Sequence, residues 1–420
     1  MYTWKVTTIT MRDPYPLRPV SSDEFKTWAH MIANTYGQDR RDADLEHERS
    51  TIELERTIAA FDGAEPVAGA AIYTRSMTIP GAVQPIAGVT WVGVSPTHRR
   101  RGILMSMMRK QLTDLHESGG EPIAMLNASE ATIYGRFGYG IASHAAQFDG
   151  EKRFMRFRPD IESGQGTIRL LNRDEARPMM EKVYDTIRIE RVGWVDRAGK
   201  FWDACLYDEE HVRNGATALR FAVHKEPDGA VTGYALYRYH SEGNGTVQVK
   251  EVAAATRQAY AALWRFLIDI DLYLQITYEG AIDEPLPYLL FDTRAVRSTV
   301  VDRLWVRLVD VDRALATRRY AIPLDMVFEV EDPFCSWNSG RYRLQADGDS
   351  VTCERTQASA DLQLTAAELG AIFLGGTTLA QLSAAGLVKE LRPGAVATCT
   401  VAFRGEREPF CPTGREFPAY

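Results

Sequence analysis

Several familiar signals are missing from this sequence. No stretch approaches the roughly 18 apolar residues that cross a bilayer, and the most apolar candidate, residues 263–276, is interrupted by Arg265, Asp269 and Asp271. The first residues lack the continuous apolar segment of a secretory signal. The histidines show no H-E-x-x-H or related spacing. We therefore expect no membrane span, no secretory signal and no metal site.

Cysteine is scarce and basic charge is not in excess. The five cysteines form no C-x-x-C pair, which predicts free thiols in the reducing cytoplasm. The formal net charge of −7 argues against a nucleic-acid binder, whose electrostatic footprint is basic. It is compatible with a neutral or cationic substrate. The cysteines are Cys205, Cys335, Cys353, Cys399 and Cys411.

The chain has 420 residues, enough for two to four domains at about 100–200 residues each. Hydrophobic periodicity in the first part predicts a mixed α/β order of helices and strands. The predicted strands cover residues 57–62, 66–79, 85–95 and 123–126, and the helices cover 21–36, 103–117 and 129–137. Ser129 is the predicted N-cap of the last helix.

A similar order recurs after the linker-like E-S-G-Q-G at residues 162–166. It includes a predicted helix at 174–187, a long helix at 256–273 and a strand near 289–291. From about residue 306 the pattern changes to an α+β unit. There, residues 308–313 and 396–403 are predicted to be extended.

The most informative stretch is V-G-V-S-P-T-H-R-R-R-G at residues 92–102. A predicted strand ends there, a basic turn follows, and a helix begins. Such a junction directs backbone N–H groups and a helix N-terminus at one point, which favours a pyrophosphate. The arginines add positive charge. The alternative is a solvated arginine cluster at the start of a helix.

A second segment, N-A-S-E-A-T-I-Y-G-R-F-G-Y-G at residues 127–140, follows about 30 residues later. Together the two segments resemble the Eis (enhanced intracellular survival) family of GNAT N-acetyltransferases. The R-x-x-G of Arg99–Gly102 matches the family's pyrophosphate motif, Q/R-x-x-G-x-G/A, although Leu104 replaces its last small residue. In outline the resemblance extends over the whole chain.

The resemblance implies an α/β protein of mixed α+β type with three domains. They are an N-terminal GNAT domain at 1–160, a second GNAT-like domain at 161–306 without the cofactor motif, and a sterol-carrier-protein-like domain at 307–420. In the second GNAT-like domain, the turn that corresponds to the basic turn at 92–102 is A-A-A-T-R-Q at 253–258, which has no glycine and one arginine. The family likeness also implies a homohexamer, acetyl-CoA as cosubstrate without a metal, and N-acetylation of aminoglycosides or related polyamines.

Residue roles follow from the same resemblance. Tyr134 would be the general acid and the terminal carboxylate, here on Tyr420, the general base. Ser129 would lie near the cofactor. Backbone groups of Val92 and Val94 would hold the pantetheine and thioester. The pyrophosphate would be bound by Arg99, Arg100, Gly102 and Ile103.

Elementary chemistry supports these roles unequally. The coenzyme A thiolate should resemble a cysteine thiolate, with a pKa of about 8.5, and a tyrosine hydroxyl has a pKa of about 10. Because these pKa values are similar, Tyr134 can donate a proton to the thiolate. The alternative is a buried tyrosine with a satisfied hydroxyl, for which Tyr139 is the better candidate. A carboxylate is a weak base for an ammonium. An extension of the tail after Cys411 beyond the length usual in the family would displace the Tyr420 carboxylate.

The substrate region is less well marked. The helix around Trp28 and Tyr36 should flank it, and the acidic run between Asp42 and Glu48 would attract a polycation or merely form a solvated helix. No cysteine lies in an activating motif, so we expect direct acetyl transfer to a small-molecule amine. Two other functions stay open: a non-catalytic acyl-CoA or lipid-binding protein, and a protein lysine acetyltransferase.

Overall fold

The computed structural model describes residues 15–412. Within this range the chain forms two compact units. The first contains the residues up to Tyr73 together with Val89–Glu117, and the second contains Thr74–Gly88 and the remainder. We describe each unit by itself.

The first unit is built on short antiparallel strands and three helices. In its apolar core, Ile58 and Val67 of the sheet pack with Ile103 and Met107 of the helix that begins at Ile103. Ile103 and Met107 are four residues apart and therefore lie on the same face of that helix. The elements are β1 (Leu17–Arg18), α1 (Phe25–Thr35), α2 (Asp42–Arg49), β2 (Thr57–Asp62), the first part of β3 (Glu65–Ile79), the last part of β4 (Ala82–Val94) and α3 (Ile103–Ser118).

The first elements of the second unit include all seven strands of the second sheet. These are β5 (Ile123–Asn127), α4 (Ala131–Tyr134), β6 (Gly140–Ile141), β7 (His144–Glu151), β8 (Thr167–Leu171), α5 (Arg173–Arg188), α6 (Gly199–Cys205), β9 (Arg220–Lys225), β10 (Val231–His240), β11 (Thr246–Ala254), α7 (Arg257–Asp269), β12 (Gln275–Ala281), α8 (Leu286–Leu289), β13 (Val296–Asp302) and β14 (Leu304–Leu308).

The remaining part of this unit forms a third sheet with its own helices. Its strand order is β17-β16-β15-β18-β19. The elements are α9 (Val311–Thr317), β15 (Leu324–Glu331), β16 (Gly340–Asp347), β17 (Ser350–Arg355), β18 (Leu362–Thr365), α10 (Ala366–Ile372), α11 (Leu379–Ala384), β19 (Lys389–Glu390) and α12 (Ala395–Phe403).

In each of the first two sheets, one strand is out of sequence order; the first sheet has the order β1-β2-β3-β4-β5-β14-β6. β7 comes early in the chain but lies between β12 and β13, and the second sheet has the order β13-β7-β12-β11-β10-β9-β8. β14 comes late but pairs with β5 from Leu304–Asn127 to Leu308–Ile123, and it also pairs with β6. Each of these sheets therefore contains a strand from a distant part of the sequence.

The mixed α/β fold is confirmed, and most predicted elements are present. Residues 396–403 were expected to be extended because they are rich in valine and threonine, but they form α12. The buried residues Ala395, Cys399, Ala402 and Phe403 follow helical spacing, so burial of one helix face prevails over β propensity.

Two further expectations are wrong. Residues 311–317, which overlap the stretch predicted to be extended, form helix α9, and a helical turn, α8, precedes Leu290 where a strand was predicted. The strand of that region is β12, which alternates buried Ile276 and Tyr278 with more exposed neighbours. Between residues 15 and 412 there is no helix with the length and apolarity needed to span a membrane.

Candidate active site

The basic turn after β4 has the geometry expected of an anion site. A 3₁₀ turn at Pro96–His98 follows the strand, and α3 begins at Ile103. Arg100 and Gly102 have φ values of 64° and 84°, in the left-handed region. The N–H of Ser106 donates to the Gly102 carbonyl at 3.0 Å, so the N–H groups of the preceding helical residues have no partner within the helix. Such N–H groups favour a phosphate.

The three arginines of the turn differ in what they contact. Arg99 donates to the carbonyls of Thr35 at 3.1 Å and Val94 at 3.4 Å. Arg101 donates to the Tyr15 hydroxyl at 2.6 Å and to a turn carbonyl at 3.0 Å. Arg100 is exposed and has no hydrogen-bond or ion-pair partner among the described residues. Arg99 and Arg101 therefore stabilise the turn, whereas Arg100 is available to a ligand.

The end of β4, which contains the predicted Val92 and Val94, is held by α1 and the residue after it. The hydroxyl of Tyr36 donates to the Val92 carbonyl. Trp91 has a φ of 56°, which interrupts the regular strand, and its ring stacks on Trp28 at 5.2 Å between centroids. Trp28 is fully buried, so it belongs to the core rather than to a substrate surface.

Two acidic side chains of α2, Asp42 and Glu48, form ion pairs. Asp42 contacts Lys26 and lies 3.2 Å from His30, and these partners lower the pKa of its carboxyl. Glu48 accepts from Arg40 at 2.6 Å. The run therefore forms a charged helix, and its ion pairs are made with residues of α1 and of the segment before α2.

Tyr134 lies at the end of α4 in the second unit and is buried. Its ring packs edge-on to Tyr139 at 6.0 Å, and its carbonyl accepts from the Tyr139 N–H at 3.3 Å. Ser129 is exposed on the bend before the helix. The N-cap is Glu130, not Ser129 as predicted, and its side chain makes no capping bond.

Two glycines of the segment are explained by packing. A Cβ on Gly138, whose φ is 81°, would collide with the Arg307 guanidinium, and one on Gly140 would collide with the Ala367 carbonyl in α10. Arg307 is fully buried and forms an ion pair with buried Asp332. Sequence reasoning missed this pair, because its members are 25 positions apart and belong to no motif.

A further polar residue was missed at the start of the segment. Asn127 ends β5, and both atoms of its side-chain amide are buried without a hydrogen-bond partner in the described part of the chain. The hydroxyl of Tyr139 is in the same situation, and burial raises the pKa of that tyrosine. The first letter of N-A-S-E is the only signal that could have drawn attention to Asn127.

The structure thus places the predicted residues in two groups. Val92, Val94, Arg99, Arg100, Gly102 and Ile103 are together in the first unit, and Ser129 and Tyr134 are together in the second. Tyr420 lies outside the described residues. No cluster of three or more candidate metal ligands occurs within residues 15–412.

The turn before α7, at residues 253–258, corresponds to the arginine turn before α3 but differs from it in conformation. Thr256 caps α7 by accepting from the Ala259 N–H at 3.1 Å, as a serine or threonine N-cap usually does. Its neighbours from Ala253 to Gln258 all have negative φ. The turn therefore lacks the left-handed residues that shape the arginine turn of the first unit.

Comparisons with known families agree with this architecture. Residues 16–142 and 193–308 each match an acetyltransferase (GNAT) domain, and residues 311–412 match a sterol carrier protein domain. A GCN5-related N-acetyltransferase from Anabaena variabilis has a TM-score of 0.83, covers 95% of this chain and 99% of its own, and is 18% identical. That likeness supports the fold.

Closer relatives specify the family. An uncharacterized N-acetyltransferase of Streptomyces avermitilis is 40% identical over 95% of this chain and 99% of its own length. The N-acetyltransferase Eis of Mycobacterium tuberculosis is 35% identical over 80% of this chain and 84% of its own. The crystal structure of Eis1 from Mycobacterium abscessus, 34% identical, has a TM-score of 0.82 and covers 95% of this chain and 100% of its own. The chain therefore belongs to the Eis family of GNAT N-acetyltransferases.

Proposed function

We propose that this protein transfers the acetyl group of acetyl-CoA directly to an amine of an aminoglycoside-like or other polyamine substrate. The observation that carries the proposal is the turn at Arg99–Gly102, where the N-terminus of α3 and the unpartnered Arg100 both favour a pyrophosphate. The relatives named N-acetyltransferase support the reaction class.

The proposed reaction forms a C–N bond and breaks the thioester C–S bond. The amine gives up one proton, and the departing thiolate takes one. In this scheme Tyr134 donates the proton to the thiolate, as its place in the matched segment suggests. The carboxylate of Tyr420 is the proposed base for the amine, directly or through water.

The cysteines support direct transfer rather than an acetylated enzyme. Cys335, Cys353, Cys399 and Cys411 are buried. Burial raises the pKa of Cys353 and Cys399 to about 12, so neither forms a thiolate readily near neutral pH. An acetyl-cysteine intermediate needs such a thiolate as its nucleophile.

The test is to mix the protein with acetyl-CoA and a panel of amines and to follow free thiol. The panel should contain an aminoglycoside, spermidine and a lysine-containing peptide. We expect thiol release with the polyamines and initial-rate lines that intersect when both substrates are varied. Release with the peptide alone would favour a protein acetyltransferase, and parallel lines would contradict direct transfer. No release with any amine would favour a binding protein.

A further inference from the structure

A second cavity lies in the part of the chain that matches the second GNAT domain. Its volume is about 320 Å³, at the lower end of the range of small-molecule pockets. β11 and β12 pair in parallel from Thr246–Gln275 to Val249–Tyr278, and the residues after that point line the cavity. Of the residues predicted for acetyl transfer, none that the structure describes lines it, and Tyr420 lies outside the described residues.

The cavity contains a cation whose hydrogen-bonding capacity is unused. Arg191 follows α5, lines the cavity and is half-buried. Its guanidinium has no hydrogen-bond or ion-pair partner in residues 15–412. Burial, and then the nearby charge of Arg407, lower its pKa. A partly desolvated guanidinium without a partner costs free energy, which an anion would recover.

The two carboxyls that act electrostatically on Arg191 each have another partner, although Oδ1 of Asp283 is buried without a hydrogen bond in the described part of the chain. Asp283 forms an ion pair with Arg407 and accepts the Glu408 N–H at 3.2 Å. Glu284 accepts from the Tyr260 hydroxyl, and burial raises the pKa of its carboxyl. Neither carboxyl lies within ion-pair distance of Arg191, so the positive charge remains available.

The other walls add further features of a ligand site. Arg257 lies at the rim, at the positive end of the 13-residue helix α7. Apolar side chains, among them Trp194, Val252 and Leu289, cover another part of the surface. A ligand that pairs with the arginines and also packs against the apolar side chains has a charged head group and an apolar body.

We propose that this cavity binds a small organic anion, whose carboxylate or phosphate group pairs with Arg191 while its apolar body packs against Trp194 and Val252. The proposal does not depend on the proposed acetyl transfer. Carboxylate and phosphate both match the planar guanidinium fork, so the head group is decided by experiment.

The experiment is calorimetric titration of the full chain with benzoate and with phenyl phosphate. Inorganic phosphate tests the head group alone, and benzyl alcohol tests the ring alone. We expect saturable one-to-one binding of benzoate or phenyl phosphate, at least tenfold tighter than either control probe. The tighter of the two anions identifies the head group. No saturable binding of either anion would overturn the proposal, as would equal binding of inorganic phosphate.

Variants tie the binding to the cavity. Arg191→Gln should weaken binding at least tenfold, and Ala255→Phe should block the rim from an exposed position. Arg173→Gln, at an exposed arginine that begins α5, should bind as the parent does. Unchanged binding in both cavity variants, or competition by acetyl-CoA, would contradict the site. Melting curves and thiol release of each variant report folding and the proposed acetyl transfer independently.

Discussion

Gly138 lies directly against the buried guanidinium of Arg307, so that no Cβ could be accommodated there. Arg307 in turn pairs with Asp332, which also accepts the Cys335 N–H at 2.8 Å. The segment that contains Tyr134 is thus fixed by an ion pair on another part of the chain. Positioning of the proposed acid depends on packing that no local motif encodes.

Replacing Gly138 with alanine should destabilise the protein. Its φ of 81° is unfavourable for a residue with a Cβ, and the Arg307 guanidinium would have to move. We expect a loss of roughly 1–3 kcal/mol in unfolding free energy, seen as a lower urea midpoint. Gly135→Ala is the matched control, since that glycine has open space and a helical φ of −56°. Equal midpoints for the two variants would refute the packing argument.

Breaking the Arg307–Asp332 pair should be more damaging than breaking an exposed pair. Asp332→Asn leaves a fully buried guanidinium without its counter-charge, so we expect a loss of about 3–5 kcal/mol. Asp325→Asn removes a half-exposed partner of Arg343 and should cost about 0–1 kcal/mol. Thermal and urea unfolding would measure the difference. Similar losses would show that the buried pair is not specially stabilising.

Tyr134→Phe should lower kcat by about 10²–10⁴ if the hydroxyl is the general acid. The KM for acetyl-CoA should change little, because the loss lies in proton transfer. Tyr139→Phe is the control, since the Tyr139 hydroxyl has no hydrogen-bond partner among the described residues and its removal should leave kcat unchanged. A full kcat in Tyr134→Phe would remove that residue from the mechanism.

Arg100→Gln should weaken coenzyme A binding about tenfold, equivalent to roughly 1.4 kcal/mol. Its side chain has no partner of its own in the described structure, so the substitution removes a ligand contact without breaking an internal one. Acetyl-pantetheine, which has no pyrophosphate, should bind both proteins alike. Titration calorimetry with the two ligands distinguishes these effects. A comparable loss for acetyl-pantetheine would indicate a general distortion.

Stability should fall as the pH is lowered through about 6.5, partly through His224. Burial lowers its pKa in the folded protein, so the unfolded chain binds the proton more readily. This contribution is complete above the unfolded pKa and is lost below it. His224→Gln should flatten the dependence of the unfolding midpoint between pH 7.5 and 5.5. An unchanged slope would assign the effect to other groups.

The sequence predicted the regular elements of the first unit well because their periodicity is strong and local. The helix at 103–117 and the strand at 57–62 agree closely with α3 and β2. The arginine turn was also predictable, since it combines a strand end, basic residues and a glycine. What the pattern did not reveal is that Arg99 and Arg101 also donate hydrogen bonds to protein groups.

The failures share a physical cause, since they involve long-range contacts. α12 was predicted to be extended because its valines and threonines favour strands, while the face that it buries is determined by the rest of the chain. Asp332 gains its role only from Arg307, and Gly140 only from α10. Single-sequence reasoning detects local propensity but not such partners.

The placement of β7 and β14 out of sequence order has a consequence for synthesis at the ribosome. β5 can pair with β14 only after Leu308 has been synthesised, and β7 can pair with β12 and β13 only after those strands have been synthesised. A nascent chain released near residue 160 would therefore present unpaired strand edges, which invite aggregation. Folding of the first sheet cannot finish domain by domain in the order of translation.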